Sequence, residues 1–171
     1  MWARMNSQIR CEQTVAIREK PLILVVDAQV TIIRILTNML QPQYEVCVAT
    51  DGAKGIDVAC TRQPDLILLD NMMPNMTGVE TCQMLKKNPI TQHIPVIFVT
   101  SMDDKHNEKI GLKVGAVDYI NKPPAPEIVL ARIGIHLRNQ RQHDFIEQIA
   151  QGSLTDISEI RRQAQLMLAD T

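Results

Sequence analysis

The chain has 171 residues, 45% of them hydrophobic, and its 18 Lys and Arg residues nearly balance its 19 Asp and Glu residues. This composition is typical of a globular protein and excludes global disorder, and a net charge of −1 provides no positive field for nucleic acid or an anionic membrane. Only five residues are aromatic, too few for a base-stacking platform. We therefore expect an aliphatic core, no direct nucleic-acid binding and no membrane binding.

The cysteines and the N-terminal segment indicate the cellular compartment. Cys11, Cys47, Cys60 and Cys82 form no C-x-x-C pair, a pattern typical of small buried hydrophobic residues in a reducing compartment. Residues 1–20 carry charges and lack the apolar core of a signal peptide, and no apolar run approaches the ~20 residues that span a bilayer. We expect a cytoplasmic protein.

From Pro21 onward, short apolar segments alternate with amphipathic ones. Strands are predicted at Leu22–Val26, Tyr44–Ala49, Leu66–Leu69, Pro95–Val99 and Val117–Ile120. Helices are predicted at Gln29–Leu40, from Gly52 to about Gln63, from Thr77 to about Asn88, from Asp103 or Asp104 to about Gly115, and from Pro126 through Leu137, with apolar positions that can extend the last one to Ala150. Thr77 and Glu80 have the spacing of a capping box.

Five aliphatic strands that alternate with helices indicate a fold class. Strands without polar alternation are buried on both faces, which favours a parallel sheet with helices on each side. Right-handed crossovers make such a sheet a doubly wound α/β fold. Ligands of these folds bind beyond the carboxyl ends of the strands, so functional residues are expected there.

Polar residues follow four of the predicted strands at this edge. Asp27 ends the first, Asp70 the third, Thr100 and Ser101 the fourth, and Lys122 follows the fifth. Taken singly, each has an ordinary structural explanation as a helix cap, a packing residue or a solvated lysine. Their occurrence together, at the edge where this fold binds ligands, indicates a functional site.

The residue types indicate phosphoryl chemistry. A carboxylate can attack phosphorus to form an aspartyl-phosphate, and two carboxylates with a backbone carbonyl suit Mg²⁺. A lysine and a hydroxyl can stabilise the transferring phosphoryl group. The chain contains no G-x-x-x-x-G-K-[ST] or G-x-G-x-x-G motif, which argues against a nucleotide site. A small phosphohydrolase with Asp27 as nucleophile normally needs a second acid two residues later, where Gln29 stands.

Several segments in order resemble the receiver domain of bacterial two-component response regulators. They are Ile23–Asp27, Asp65–Gly78, Val96–Asp104, Val114–Pro123 and the following PEIVLARI. The resemblance covers about Pro21 to Arg141. It implies a flavodoxin-like, five-stranded parallel sheet in the order 2-1-3-4-5, with a leader over residues 1–20, a receiver domain over 21–141 and a C-terminal helical extension over 142–171.

The resemblance also implies the role of individual residues. Asp70 matches the phosphoacceptor, Lys122 the lysine that contacts the phosphoryl group, Thr100 the switch hydroxyl and Tyr119 the aromatic residue that reports its state. The implied partner is a histidine kinase or a phosphotransfer protein, and the implied protein is a signalling switch rather than an enzyme. By the same analogy, the Lys122–Pro123 peptide bond is expected to be cis.

The metal site departs from the family pattern at one position. Asp27, Asp70 and the carbonyl of Met72 match the ligands of Mg²⁺, but the second residue of the family's acidic pair is Ala28 here. Loss of a carboxylate should weaken Mg²⁺ binding, because affinity for hard cations follows ligand charge and number. Two hypotheses follow. Asp70 is phosphorylated with poorer metal affinity, or the chain is a partly degenerate receiver that acts as a phosphorylation-independent interaction module.

The C-terminal segment is too short for a complete output domain. Asp156–Ala169 is predicted as an amphipathic helix that packs on its own domain or on a partner. The predicted helix after Pro126 is apolar over more than one face, so a homodimer through the fourth helix, fifth strand and fifth helix is a second hypothesis. The sequence of this helix and of the residues just before it, PPAPEIVLARIGIHLRNQ, resembles receivers that precede cyclic-di-GMP synthesis or degradation domains.

The four histidines are expected on the solvated surface.

Overall fold

The computed structural model describes residues 19–101 and 113–169. Five strands form one sheet in the order β2-β1-β3-β4-β5, and every neighbouring pair is parallel. The strands are β1 (Leu22–Val26), β2 (Glu45–Ala49), β3 (Leu66–Asp70), β4 (Val96–Ser101) and β5 (Asp118–Lys122). The predicted doubly wound α/β fold and strand order are thereby confirmed.

Five described helices connect or follow these strands. They are α1 (Val30–Leu40), α2 (Gly52–Arg62), α3 (Gly78–Lys87), a long helix (Pro126–Ala150) and a terminal helix (Ile157–Ala169). The predicted helix from Asp103 or Asp104 lies largely outside the described residues. The fifth strand begins and ends later than predicted, so that Lys122 is its last residue rather than the residue that follows it. This shift occurs because β5 pairs with β4 through Ser101.

Two apolar clusters, one on each face of the sheet, form the core. Successive strand residues point to opposite faces, so Ile23 and Val25 join one cluster while Leu24 and Val26 join the other. The first cluster is covered by α1 and the long helix, and the second by α2 and α3. Burial on both faces explains the continuous runs of Leu, Ile and Val. Each of these side chains stabilises the folded state by about 1.5–3 kcal/mol when fully buried.

Local signals fix where α2 and α3 begin. The Asp51 side chain accepts a hydrogen bond from Lys54 N, which satisfies a free amide at the start of α2. At α3, Thr77 Oγ1 accepts from Glu80 N and Glu80 Oε2 accepts from Thr77 N, so the predicted capping box is confirmed. These caps matter for the site because α3 starts just after the loop that follows β3.

The terminal helix contains no fully buried residue. Met167 shares a surface cleft with Arg138, Arg141 and Gln142 of the long helix, which shows the helix lying against its own chain. Ile157 and Leu168 remain exposed. The Lys122–Pro123 peptide bond is cis, as the resemblance implied.

Gly78 allows the loop after β3 to lie close to α3. Its amide donates to Asn71 O at 3.0 Å, and an added Cβ would meet the carbonyl oxygen of Asp70 and lie 2.7 Å from Asn71 Cα. Gly134, within the long helix, has only Arg138 Nη1 near its missing Cβ, at 3.7 Å. The two glycines therefore have different tolerances for a methyl group.

We predict that Gly78→Ala lowers the free energy of unfolding by about 1–3 kcal/mol, because the backbone of Asp70 and Asn71 must move. The matched variant Gly134→Ala should raise it by about 0.5–1 kcal/mol, since alanine is the better helix former. Chemical denaturation of both variants measures the difference. Equal effects of the two substitutions would contradict the close approach at Gly78.

Candidate functional site

The polar residues predicted to share one edge of the sheet converge there. Asp27 directly follows β1, and Asp70 and Lys122 are the last residues of β3 and β5. In the sheet, β1 lies beside β3, while β4 separates β3 from β5. The long lysine side chain crosses that gap. Three segments distant in sequence thus supply two carboxylates and one ammonium to one place.

Lys122 bridges the two carboxylates. Its Nζ lies 2.7 Å from Asp27 Oδ2 and 3.0 Å from Asp70 Oδ1. The side chains of Asp27 and Asp70 are 2% and 1% exposed, and that of Lys122 is 14% exposed, so the ion pairs are shielded from water. Two negative charges share a single positive one, which leaves the buried cluster with a net negative charge and suits it to a further cationic group.

The two carboxylate oxygens of Asp70 differ in their contacts. Oδ1 accepts from Met72 N at 3.3 Å as well as from Lys122, whereas Oδ2 is buried and has no hydrogen-bond partner among the described residues. Burial raises the pKa of Asp70, and the charge of Asp27 adds to this, while Lys122 and the Met72 amide oppose it. Asp70 therefore carries a carboxylate oxygen whose lone pairs no described donor uses.

Asp27 is held from both sides. Its Oδ1 accepts from Gln29 N at 2.7 Å, and its Oδ2 binds Lys122. The next residue, Ala28, is half-buried and packs against the apolar cluster on the α2 and α3 face. Met72 has an exposed side chain. The roles predicted for Asp27, Asp70 and the Met72 carbonyl as metal ligands remain predictions.

Thr100 and Tyr119 lie on one face of the sheet. In the parallel register Tyr119 pairs with Phe98, two residues before Thr100 on β4. Thr100 is buried, and its Oγ1 has no hydrogen-bond partner among the described residues. Tyr119 is half-buried and packs against the apolar cluster on that face. The placement is compatible with the predicted switch roles of both residues, which stay predictions.

A second charged cluster lies at the start of β5 and was missed by the sequence analysis. Asp118 accepts from Arg132 Nη1 at 2.6 Å through each oxygen, and His136 Nε2 lies 3.0 Å from Asp118 Oδ2. His136 is half-buried and contacts a carboxylate, so the expectation that it is simply a solvated surface residue was wrong. Arg132 and His136 are four residues apart, so their shared helix face was a usable signal.

The contacts of Asp118 determine its ionisation. Burial alone would raise its pKa, but hydrogen bonds from Arg132, His136 and the Tyr119 amide outweigh burial and lower it. The hydrogen bond to Asp118 raises the pKa of Arg132. The pair is fully charged at neutral pH, and its stabilisation is lost only as the pH falls through the lowered pKa of Asp118.

Other chemical features of the described residues are few. Cys82 is buried, as expected, whereas Cys47 and Cys60 are only half-buried and Cys11 lies outside the described residues. Burial raises the pKa of the Cys82 thiol to about 11. Residues 19–101 and 113–169 contain no group of three or more His, Cys, Asp or Glu side chains that could hold a metal ion. None of the helices described has both the length and the apolar character needed to cross a bilayer.

The geometry of this edge agrees with comparisons to known proteins. Residues 23–134 match the model of the response regulator receiver domain. The chain belongs to the response regulator receiver family. The chain is 34% identical over 144 residues to a Vibrio cholerae protein named a probable cyclic di-GMP phosphodiesterase. It is 41% identical over 112 residues to response regulator PleD of Caulobacter vibrioides.

These relatives are much longer proteins. The two alignments cover 84% and 65% of this chain but only 32% and 25% of the relatives. Solved receivers are similar in fold. A CheY-like receiver domain protein of Methanospirillum hungatei superposes with a TM-score of 0.68 at 28% identity, over 72% of this chain and 98% of that one. CheY4 of Vibrio cholerae gives 0.64 at 29% identity, over 67% and 96%.

We predict that Asp70→Asn raises the free energy of unfolding at pH 7 by about 1 kcal/mol, a typical single-site magnitude. The raised pKa means that ionised Asp70 costs the folded receiver stability at pH values above that pKa. The gain should therefore be full at neutral pH and disappear below about pH 4, where the aspartate is protonated in both states. Denaturation across this pH range measures it.

Asp57→Asn is the matched control, because Asp57 is exposed on α2 and its change should stay within about 0.5 kcal/mol. An Asp70→Asn variant less stable than Asp57→Asn at pH 7 would show that the Asp70 carboxylate is not strained by its surroundings.

Proposed function

We propose that the receiver is a phosphorylation-controlled switch in which Asp70 accepts a phosphoryl group from the phosphohistidine of a kinase or phosphotransfer protein. The observation that carries the proposal is the contrast between the two oxygens of Asp70. Oδ2 is buried and has no hydrogen-bond partner among the described residues, whereas Oδ1 is anchored by Lys122 and the Met72 amide. Anchoring one oxygen orients the carboxylate, and the other oxygen has lone pairs for attack on phosphorus.

The chemical step needs an ionised Asp70. One carboxylate oxygen forms a bond to phosphorus as the phosphorus–nitrogen bond of the phosphohistidine breaks, and the imidazole leaves with its electron pair. Lys122 favours the ionised carboxylate by opposing the increase in pKa caused by burial. Its ammonium, already 3.0 Å from Asp70 Oδ1, can contact the phosphoryl oxygens and stabilise the negative charge on them.

The residues present fit a weakly bound Mg²⁺ ion. Asp27, Asp70 and the Met72 carbonyl would hold it. The net negative charge of the cluster supports this assignment, as does Asp70 Oδ2, for which residues 19–101 and 113–169 supply no hydrogen-bond partner. Mg²⁺ keeps several water ligands, so three protein ligands suffice. When bound, the ion would neutralise charge on the phosphoryl group. Ala28 removes one carboxylate, and we infer reduced affinity rather than loss of binding.

The signal would then pass from Thr100 to Tyr119. The hydroxyl of Thr100, which has no partner within the described part of the chain, can donate to a phosphoryl oxygen, and movement of Thr100 would let the Tyr119 ring turn inward. This changes the surface around β5 and the long helix, where Ile128 and Ile135 are exposed. That surface or the terminal helix would bind a second copy or an output partner.

The remaining inferences concern organisation and pathway. Residues 21–141 would form the receiver domain, with a leader over 1–20 and a helical extension over 142–171. The name of the Vibrio cholerae relative supports a link to cyclic-di-GMP turnover. A bacterial receiver that is phosphorylated by a histidine kinase would act in the cytoplasm.

The proposal predicts that the wild-type chain gains one phosphoryl group from a histidine kinase or from acetyl phosphate in the presence of Mg²⁺. Asp70→Asn should gain none, and Asp57→Asn should match the wild type. Intact-protein mass spectrometry over a Mg²⁺ titration measures the product. No phosphoryl group on the wild type at saturating Mg²⁺ would overturn the proposal in favour of phosphate-independent signalling.

Ala28→Asp should restore the missing metal ligand and tighten Mg²⁺ binding by about tenfold or more, because affinity follows the number of charged ligands. Asparagine has nearly the same shape as aspartate but no charge. The variant Ala28→Asn should therefore leave the Mg²⁺ affinity within about twofold of the wild type. Isothermal titration calorimetry with Mg²⁺ alone compares the three proteins. If Asp and Asn at this position have equal effects, position 28 does not lie at the metal site.

A further inference from the structure

We propose that Arg132 is a positioning residue that holds the Tyr119 ring in the position found here and so sets how readily the switch turns. The inference rests on the proposed function, because it assigns a regulator to the same switch. It concerns the second charged cluster, formed by Asp118, Arg132 and His136, which the phosphoryl site does not use.

Arg132 contacts the ring directly. Its guanidinium carbon lies 5.9 Å from the centre of the Tyr119 ring, within the range of a cation–π interaction. The ring carries a negative electrostatic potential on its face, which attracts the planar cation. Turning the ring away from Arg132 gives up this attraction, so the contact favours the present ring position.

The guanidinium is fixed in place by the residue that precedes the tyrosine. Arg132 Nη1 donates to both oxygens of Asp118, at 2.6 Å each. Asp118 Oδ1 also accepts from the Tyr119 amide at 2.8 Å, and its Oδ2 is contacted by His136. The anchor is therefore tied to the backbone of Tyr119 itself, and the cation cannot follow the ring when the ring turns.

Burial strengthens this arrangement. The Asp118 and His136 side chains are 16% and 17% exposed, and Arg132 is 39% exposed. The carboxylate is thus well shielded, while the guanidinium keeps one side toward the solvent. A cation–π contact at such a site changes an equilibrium by about two- to fivefold. Arg132 should bias the unphosphorylated receiver against switching by this factor.

Only two tyrosines occur in the chain, Tyr44 and Tyr119, so 3-fluorotyrosine labelling gives two ¹⁹F NMR resonances. Tyr44→Phe assigns them. The wild-type chain, Arg132→Gln and Arg132→Lys are titrated with beryllofluoride, a phosphoryl mimic, at fixed Mg²⁺. We expect Arg132→Gln to reach half-conversion of the Tyr119 signal at a two- to fivefold lower mimic concentration, and Arg132→Lys, which keeps the charge, to lie between the two.

Arg138→Gln, one or two turns along the same helix, is the control and should leave the Tyr119 titration unchanged. Thermal unfolding of each variant verifies that it is folded. Equal half-conversion for wild type and Arg132→Gln, with a normal Tyr119 response in both, would overturn the role of Arg132 alone. If the mimic binds the wild type and the Tyr119 resonance does not change, the switch role of Tyr119 is overturned, and this inference with it.

Discussion

The ammonium of Lys122 between two buried carboxylates is the interaction on which the rest of the site depends. Without it, Asp27 and Asp70 would be two like charges shielded from water, an arrangement that favours protonation of one of them. With it, one oxygen of Asp70 is anchored and the other is left without a described partner. Because one cation serves two anions, the cluster keeps a net negative charge, which supports the Mg²⁺ site proposed above. The same arrangement makes the ionised Asp70 costly to the folded state and supports its proposed role in phosphoryl transfer.

The parallel sheet makes this contact possible. The carboxyl ends of parallel strands meet at one edge, and burial of the sheet on both faces shields that edge from water. β5 also carries Asp118 of the second charged cluster at its other end. One strand therefore joins Lys122, at the proposed phosphoryl site, to Asp118, which binds Arg132 beside the Tyr119 ring. In this account, chemistry at Asp70 and the conformation of the β5 surface are coupled through a few residues of one short strand.

The sequence predicted those features that depend on local pattern. Continuous apolar runs located β1, β3 and β4 to within one or two residues, and the more mixed segment Tyr44–Ala49 located β2 to within one. The Thr77–Glu80 spacing located the start of α3. The end of β5 was missed because Asn121 and Lys122 are polar and join the sheet only through pairing with β4. The Asp118 cluster was missed because Asp118 lies on a strand, 14 residues before Arg132. The four-residue spacing of Arg132 and His136 placed them on one helix face but did not show which carboxylate they contact. Contacts set by tertiary packing leave little trace in local patterns.

The central claim is that Lys122 and Asp70 form the phosphoryl site despite the alanine at position 28. A crystal structure of the chain with Mg²⁺ and beryllofluoride tests it most directly. We expect beryllium bonded to an Asp70 carboxylate oxygen, with Lys122 Nζ contacting a fluorine and still paired with Asp27. A structure at saturating mimic in which Asp70 is unmodified and Lys122 still bridges both carboxylates would contradict the account.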